Sequence, residues 1–448
     1  MSRAPTFSEA HERLRAAPRF RVCGRVTQVV GLVIEALGPN SRTGELCLIE
    51  TGNGDPVRAE AVGFRGDRTL LLPLGELSGV RAGALVHGTG HCVRVPVGRT
   101  LLGRTLDGLG EPMDGAGPLE PEGHYPIYAP APNALERGLI DRPLPTGVRA
   151  LDALATFGEG QRVGIFSGSG VGKSTLLGMI ARNCKADVNV IALIGERGRE
   201  LNEFLQNDLG EEGRRRSVVV CATSDQPALV RIRAAFTATA IAEHFRDQGL
   251  SVLMMMDSVT RFAMAQREAG LAVGEPPSTK GYTPSVFALL PRLMERAGKS
   301  ERGAITAVYT VLVEGDDANE PIADHCRAIL DGHIVLSRKL AGAGHYPPID
   351  IPQSLSRVMP MVASETHVEA ARALRELIAA YADVEDFVSL GAYKPGSRPL
   401  ADRAIALWDK INAFLRQDKV EGAEFEESVS ALETLANEKV PIPVAEAA

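Results

Sequence analysis

Several features that would assign the chain to a specialised class of protein are scarce. Aromatic residues make up 5% of its 448 residues, and no apolar run approaches the roughly 20 residues that span a bilayer. No secretory signal is recognisable. The cysteines contain no C-x-x-C pair, which favours reduced, mostly buried thiols of a cytosolic protein over a disulfide framework. The six cysteines are Cys23, Cys47, Cys92, Cys184, Cys221 and Cys326.

A strong charge of one sign is absent as well. The formal net charge is −7, with 23% charged and 44% hydrophobic residues, as in an ordinary globular protein. We therefore do not expect nucleic acid to be bound through bulk charge, and we interpret the arginine run 214–216 as solvated. The length predicts two to four domains.

The most informative stretch is glycine-rich and covers residues 167–175, S-G-S-G-V-G-K-S-T. It follows an apolar run and precedes a helical pattern, so the order is strand, loop, helix. This order suits a triphosphate, because inward-facing N–H groups and a helix N-terminus both favour anions. A glycine-rich turn with a chance lysine is the alternative. The predicted nucleotide-binding residues are Gly168, Ser169, Gly170, Val171, Gly172, Lys173, Ser174 and Thr175.

Two residues of this stretch have specific predicted roles. Lys173 is placed to reach the outer phosphates, and the Ser174 hydroxyl to bind Mg²⁺. Ser167 stands where the P-loop pattern G-x-x-x-x-G-K-[ST] has its first glycine. This difference affects the first turn of the loop and leaves the phosphate-binding residues in place.

The N-terminal part divides into two segments. In residues 1–18, Phe7, Ala10 and Leu14 have the spacing of a short amphipathic helix that ends at Pro18. That helix is either a frayed terminus or a docking element for a partner or a membrane surface. Residues 19–95 contain short β-rich runs separated by turn residues, which predicts a small antiparallel β-barrel.

The rest of the chain is predicted to be an α/β domain over residues 96–362, followed by a helical domain over residues 363–448. The segment after Val95 is rich in Gly, Pro and Asp and is interpreted as linker and loop. Strands that are apolar throughout then alternate with helices, which is typical of a parallel sheet covered on both faces. The predicted strands are 162–166, 188–195, 217–223, 251–258, 304–314 and 333–337. A helix after Asp225 is expected to end near Gly249, and the tail after Lys439 to be loose.

Phosphate binding becomes hydrolysis when a metal anchor and a water activator are added. Asp257 ends an apolar strand, as the acid of a Walker B motif does, although it could instead cap the next helix. Glu196 follows the apolar strand 188–194 and would face the same crevice as the phosphates, where it would activate water. The alternative for Glu196 is an exposed loop glutamate.

Positive charge on the transferred phosphoryl group has several candidate sources. Arg197, next to Glu196, could touch the γ-phosphate. Arg357 could be inserted from an adjacent subunit, or could form an ordinary structural salt bridge. Arg261 is a weaker candidate. Tyr346 lies in a loop stiffened by two prolines, where it could stack on a base or simply pack.

Together these residues resemble the catalytic subunits of rotary ATP synthases and, more closely, the protein-export ATPases of the bacterial flagellum and of type III secretion systems. The matching blocks include IGERGRE, DSVTRFAMAQRE, YTVLVEGDD, HYPPIDI and SLSRVMP, and they extend from about residue 100 to residue 362. The resemblance implies a RecA-like P-loop domain with ATP and Mg²⁺ at the interfaces of a homohexamer. Pro348 stands where the family commonly has alanine.

The resemblance also implies roles for individual residues and partners. Lys173, Ser174 and Asp257 would hold phosphate and Mg²⁺, Glu196 would be the catalytic carboxylate, and Arg197 would contact the γ-phosphate. Tyr346 would stack on adenine, and Arg357 would reach the neighbouring site. The implied partners are a regulator bound to the N-terminal segment, a stalk protein, an export gate and substrate–chaperone complexes, with the protein peripheral at the cytoplasmic face of the inner membrane.

The preferred function is therefore an ATPase that energises flagellar protein export. An injectisome ATPase and a rotary synthase subunit are the nearest alternatives. A hexameric nucleic-acid motor would need a basic barrel with exposed aromatic residues, and residues 19–95 offer few aromatics. A non-catalytic nucleotide-binding scaffold would not need Glu196 and Asp257.

Overall fold

The computed structural model describes Phe7, His11 and residues 22–52, 54–313 and 320–440. Our prediction of a helix over residues 1–18 falls mostly outside this described part, and so does the tail beyond Val440. The chain divides into two compact units. One contains the residues up to Val93 together with Ala272–Gly274, and the other contains Arg94–Leu271 and the residues from Glu275 onward.

The first unit is a closed antiparallel barrel with strand order β1-β2-β5-β4-β3-β6. Its inward-facing side chains are small or branched, and burial alternates along β3 as the two-residue period of a strand requires. The buried centre includes Val26, Ile34, Ile49, Leu71 and Val86. The strands are β1 Cys23–Val30, β2 Val33–Leu37, β3 Glu45–Ile49, β4 Val57–Arg65, β5 Arg68–Pro73 and β6 Leu85–Cys92.

The second unit is built on a nine-stranded sheet with main order β17-β16-β10-β15-β13-β11-β12-β8. The strands run parallel, except that β17 is antiparallel to β16 and the short β14 is antiparallel to β15. Strands β7 and β9 form a separate antiparallel pair. The bounds are β7 Arg94–Val97, β8 Thr105–Asp107, β9 Gly123–Pro126, β10 Arg162–Ser167, β11 Val188–Ile194, β12 Ser217–Ala222, β13 Ser251–Asp257, β14 Gly298–Lys299, β15 Ala304–Leu312, β16 Gly332–Leu336 and β17 Ile349–Ser356.

Helices cover both faces of this sheet, as the apolar strands predicted. The helices are α1 Arg149–Leu154, α2 Lys173–Asn183, α3 Gly198–Glu203, α4 Gly210–Arg215, α5 Ala228–Asp247, α6 Val259–Val273, α7 Pro284–Met294, α8 Pro321–Ile329, α9 Arg338–Gly342, α10 Met359–Val362, α11 Glu365–Ala382, α12 Glu385–Ser389, α13 Pro399–Leu415 and α14 Phe425–Asn437. A π-helical segment, Phe204–Leu209, joins α3 to α4. Short 3₁₀ turns occur at Arg99–Leu101, Ala134–Glu136 and Thr279–Gly281.

The C-terminal helices share one hydrophobic core with the sheet. Leu374 on α11, Leu407 on α13 and Leu432 on α14 are buried in the same cluster as Leu177 on α2 and Ile191 on β11. The predicted helical region is therefore packed directly against the domain that carries the glycine-rich loop. Within the described residues, helices long and apolar enough to cross a bilayer are not found.

The predicted fold class is confirmed, with two local corrections. The segment interpreted as linker and loop contains β8, which pairs in parallel with β12, and also contains β9. Its strands are three and four residues long, so turn residues outweigh the strand signal in the sequence. Strand β17 was also not predicted, because Pro352 and two serines interrupt its apolar pattern.

Candidate functional site

The glycine-rich loop connects β10, inside the sheet, to helix α2. Gly170 and Gly172 have φ angles of 76° and 93°, a region that a residue with a Cβ rarely adopts. Val171 is buried and anchors the loop, while Ser169 and Ser174 are exposed. Helix α2 begins at Lys173, so its free N–H groups lie next to the loop. The loop therefore has the backbone that an anion-binding site needs.

Three charged side chains meet beside this loop. The Lys173 ammonium donates a hydrogen bond to Oδ1 of Asp257 and lies 3.5 Å from Oε1 of Glu196. The sheet order explains this meeting, because β11 and β13 are neighbours with Leu193 opposite Asp257. Glu196 follows β11 and Asp257 ends β13, so both carboxylates emerge at the same edge of the sheet.

Burial makes these charges depend on one another. The side chains of Lys173, Glu196 and Asp257 are 12%, 17% and 5% exposed. Burial opposes the charge on Lys173, but Asp257 and then Glu196 outweigh it, so the pKa of Lys173 is raised. Burial raises the pKa of Glu196 to about 7; Lys173 acts against this rise and Asp257 adds to it. A carboxyl group with a pKa near neutrality is suited to accepting a proton.

The site has more negative than positive charge, since two carboxylates share one ammonium group. Asp257 and the exposed Ser174 hydroxyl supply oxygen atoms, which are the ligands that Mg²⁺ prefers. Mg²⁺ is commonly bound by one or two carboxylates together with substrate phosphates. The residues present therefore fit a magnesium ion that enters with a phosphate ligand.

Asp257 is held in place by a residue that the sequence analysis missed. The buried Thr310 hydroxyl donates to Oδ1 of Asp257 at 2.7 Å. The alternative role of Asp257 as a helix cap is not what the structure shows, because the Ser258 hydroxyl accepts the Arg261 N–H at 3.3 Å. Thr310 is visible in the sequence as a polar residue in an apolar strand. Its role depends on β15 lying next to β13.

Tyr346 is brought to the loop by the connection between β16, the neighbour of β10 in the sheet, and β17. A Cβ built on Gly172 would lie 3.6 Å from Cε1 of Tyr346, so the ring is next to the loop. The Tyr346 side chain is 49% exposed. A half-exposed ring beside a phosphate-binding loop leaves a face on which a base can stack.

The three candidate arginines lie in different places. Arg197 is exposed and its guanidinium is 3.7 Å from Glu200. Arg261 packs against the turn before Glu196, because a Cβ built on Gly195 would lie 2.9 Å from Cβ of Arg261. The side chain of Arg261, and not that of Arg197, therefore packs against the turn at Gly195 that positions Glu196.

Arg357 is not brought to the loop of its own chain. It follows β17, whose Ser356 pairs with Gly332 at the start of β16. Strand β16 runs parallel to β10, with His333 opposite Gly164. Arg357 is therefore exposed at the amino end of the strand that the loop follows, roughly 13 Å from the loop along the strand direction.

The arginine run 214–216 is only partly solvated, which corrects our interpretation. The Arg215 side chain is 77% exposed and pairs with Glu211. Arg216 instead donates to the carbonyl groups of Ala181, Arg182, Cys184 and Ala186, at or just beyond the end of α2. A cation at a helix C-terminus offsets the partial negative charge of the helix dipole.

Three protein-family models match this chain. Residues 26–90 match the β-barrel domain of the ATP synthase alpha/beta family, and residues 147–356 match its nucleotide-binding domain. Residues 363–434 match the T3SS EscN ATPase C-terminal domain. A flagellum-specific ATP synthase of Bacillus subtilis is 54% identical, over 93% of this chain and 95% of that protein. The chain belongs to the ATP synthase alpha/beta family.

Other members of this family are similarly close. A type 3 secretion system ATPase of Xanthomonas euvesicatoria is 52% identical, over 93% of this chain and 94% of that protein. The structure of the assembled ATPase EscN from the type III secretion system of enteropathogenic E. coli has a TM-score of 0.86 and 46% identity. That match covers 92% of this chain and all of the EscN chain.

Family membership confirms the expected fold and enzyme class: the chain is an ATP-binding P-loop ATPase related to the export ATPases. The structure brings Lys173, Glu196 and Asp257 together, places the Tyr346 ring next to Gly172, and leaves Arg357 at the opposite end of the sheet. The roles of these individual residues and the binding of Mg²⁺ stay predictions.

Proposed function

We propose that this ATPase hydrolyses Mg²⁺-ATP at the interfaces of a homohexamer and so energises protein export through the flagellar type III secretion apparatus. The observation that carries the proposal is the separation of charges within one subunit. Lys173, Glu196 and Asp257 are at the carboxyl edge of the sheet, and Arg357 is exposed at the amino edge. A ring of identical subunits can join the two edges of neighbouring molecules at each interface.

In this proposal each residue has a defined part in hydrolysis. Lys173 and the N–H groups of the loop bind the outer phosphates, and Asp257 and Ser174 hold the metal ion. When bound, Mg²⁺ neutralises charge that develops between the phosphates. Glu196 accepts a proton from the attacking water, for which its raised pKa is suited. Arg357 of the adjacent subunit stabilises charge on the transferred group.

The proposed partners follow from relatives. EscN has been solved in assembled form and in complex with its central stalk EscO. By analogy we propose a stalk protein within the hexamer, and further contacts with a regulator, an export gate and substrate–chaperone complexes at the cytoplasmic face of the inner membrane. Type III secretion ATPases at 50–52% identity make an injectisome the second candidate system.

Two measurements test this proposal. ATP turnover of the purified chain should depend on Mg²⁺ and rise more steeply than linearly with protein concentration as hexamers form, and Lys173→Ala should abolish it. A monomer that is fully active at high nucleotide concentration would contradict the interfacial site.

In cells, deletion of the gene should stop secretion of flagellar subunits. Loss of effector secretion with normal motility would instead assign the chain to an injectisome.

A further inference from the structure

The segment that connects α13 to α14, residues 416–424, makes an unusual set of contacts through Gln417. The side chain of Gln417 is buried, and its Oε1 accepts the Arg149 N–H at 2.8 Å. Its Nε2 donates to the carbonyl groups of Gly147 and Glu421, at 2.8 Å and 2.9 Å. Both ends of this one amide are therefore fully engaged with backbone groups.

The backbone of Gln417 reaches the nucleotide loop region. Its N–H donates to the carbonyl oxygen of Tyr346 at 3.0 Å. Gln417 therefore connects the residue proposed to stack on the base with the segment 147–149, which precedes β10 by more than ten residues. Tyr346 and Gly147 are distant in sequence, and Gln417 links them, to Tyr346 through its backbone N–H and to Gly147 through its side chain.

The segment on the other side of Gln417 is held by hydrogen bonds to a buried carboxylate. The buried Asp152 carboxylate accepts the N–H groups of Thr146 and Gly147, at 2.8 Å and 2.9 Å. Gly147 has a φ of 74°, and a Cβ built on it would lie 2.2 Å from Cβ of Asn183, the last residue of α2. Gln417 is thus anchored to a point that touches the helix of the glycine-rich loop.

The Tyr346 ring has little packing of its own to hold it. It is 49% exposed, whereas the preceding His345 is buried. The hydrogen bond from the Gln417 N–H to the Tyr346 carbonyl oxygen ties the Tyr346 backbone to the segment that follows α13. The position of the ring next to Gly172 depends on this anchor.

We propose that Gln417 is a positioning residue that sets the Tyr346 ring for base binding and couples the C-terminal helices to nucleotide affinity. The inference rests on the proposed stacking of the base on Tyr346. It predicts that movement of α13 relative to Gly147 changes the affinity for the base and leaves phosphate binding unchanged.

The test uses Gln417→Glu in the full-length protein. The variant keeps the oxygen that accepts the Arg149 N–H, loses both Nε2 donors, and places a carboxylate against two carbonyl oxygens. We expect the Kd for ADP and the KM for ATP to rise about three- to tenfold, the size of a lost stacking contact. The kcat should stay within about twofold, and the Kd for inorganic tripolyphosphate, which has no base, should not change.

Three further variants make the result decisive. Tyr346→Ala should likewise weaken ADP binding and leave tripolyphosphate binding unchanged. In the double variant, Gln417→Glu should cause no further loss of ADP affinity, because both substitutions act on one contact. Gln417→Ala removes the whole amide without burying a charge and should weaken ADP binding without affecting tripolyphosphate, which tests the proposal even if Gln417→Glu folds poorly. Val420→Ala, a 77% exposed position in the same segment, is the matched control and should change none of these values.

The other outcomes overturn the inference in distinguishable ways. If Gln417→Glu weakens ADP and tripolyphosphate equally, or if its effect adds fully to that of Tyr346→Ala, Gln417 supports the fold in general and does not position the ring. If Tyr346→Ala leaves ADP binding unchanged, the base does not stack there, and the proposed role of Tyr346 fails together with the inference.

Discussion

The barrel and the carboxyl edge of the central sheet both contain buried carboxylates, but their charges are balanced differently. In the barrel, Glu35 is 4% exposed and accepts hydrogen bonds from Arg65 at 2.9 Å and Arg68 at 2.8 Å. In the central sheet, Glu196 and Asp257 share one ammonium group, that of Lys173.

This difference separates a structural cluster from a functional one. Two guanidinium groups satisfy Glu35 within the folded chain, so nothing further is needed to balance its charge. At the sheet edge the carboxylates outnumber the cation, and that imbalance suits a site which a metal ion and a phosphate chain complete. Substitutions at the sheet edge should therefore affect mainly ATP turnover, and substitutions around Glu35 mainly the stability of the barrel.

Among substitutions outside the glycine-rich loop, Arg357→Ala should have the largest effect on turnover. An arginine supplied from a neighbouring subunit is worth about 10³-fold or more in kcat. Nucleotide binding to the isolated subunit should be unchanged, since Arg357 is distant from its own loop. ATP turnover and ADP binding measured side by side check this expectation.

A mixing experiment then tests whether the arginine acts between subunits. Arg357→Ala and Glu196→Gln should each be inactive by themselves, and co-assembly should restore part of the activity, because some interfaces receive an intact residue from each partner. A mixture of Glu196→Gln with Lys173→Ala is the matched control and should stay inactive. Without recovery in the first mixture, the interfacial role of Arg357 has to be abandoned.

Glu196→Gln should lower kcat by about 10²- to 10⁴-fold, because the amide cannot accept a proton from water. The affinity for ADP should change little, since Lys173 and the loop remain. Glu203, an exposed residue on α3 that lies 3.3 Å from Arg199, provides the control Glu203→Gln. Equal loss in both variants would show that charge on this segment matters and not the proposed base.

Thr310→Val should have a smaller effect, seen in metal dependence. Removal of the hydroxyl that holds Asp257 should raise the Mg²⁺ concentration for half-maximal turnover about tenfold. Thr306, a buried residue on the same strand, accepts the Gly160 N–H at 2.8 Å at the other end of the sheet. Thr306→Val should lower stability without this shift in Mg²⁺ dependence, and an equal shift would refute the positioning role of Thr310.

Glu35→Ala should have the smallest effect on turnover and a clear one on stability. Loss of the paired hydrogen bonds should cost the barrel about 1–3 kcal/mol in the free energy of unfolding, while turnover stays within about twofold at 25 °C. Glu76→Ala, at an exposed position of the barrel, is the control for thermal unfolding. A large loss of turnover in a folded Glu35→Ala protein would remove the distinction between the two clusters.

Much of the site was predictable because its residues follow local rules. The glycine-rich loop, the apolar strands before Glu196 and Asp257, and the helix that begins at Lys173 are all encoded within short stretches. Backbone φ preferences and hydrophobic periodicity act over a few residues, so a single sequence reveals them. Tyr346 was singled out by its proline-flanked loop, although packing remained an equal alternative there.

The remaining features were not predictable from local patterns. Thr310 supports Asp257 because β15 lies beside β13, and Gln417 meets Tyr346 because α13 packs on the sheet. The short strand β8 was hidden by turn residues and forms by pairing with β12. In each case the decisive contact joins residues far apart in the chain, and no local pattern records which distant partner is chosen.

The sequence by itself determined the phosphate-binding loop, the identity of its lysine and acidic neighbours, and the succession of barrel, α/β domain and helices. The tertiary structure decided that Lys173 faces both carboxylates and that Arg357 is at the opposite edge of the sheet. Local preferences specify which element forms, whereas strand order and helix packing specify which elements meet, because those depend on burying the apolar surface of the whole unit.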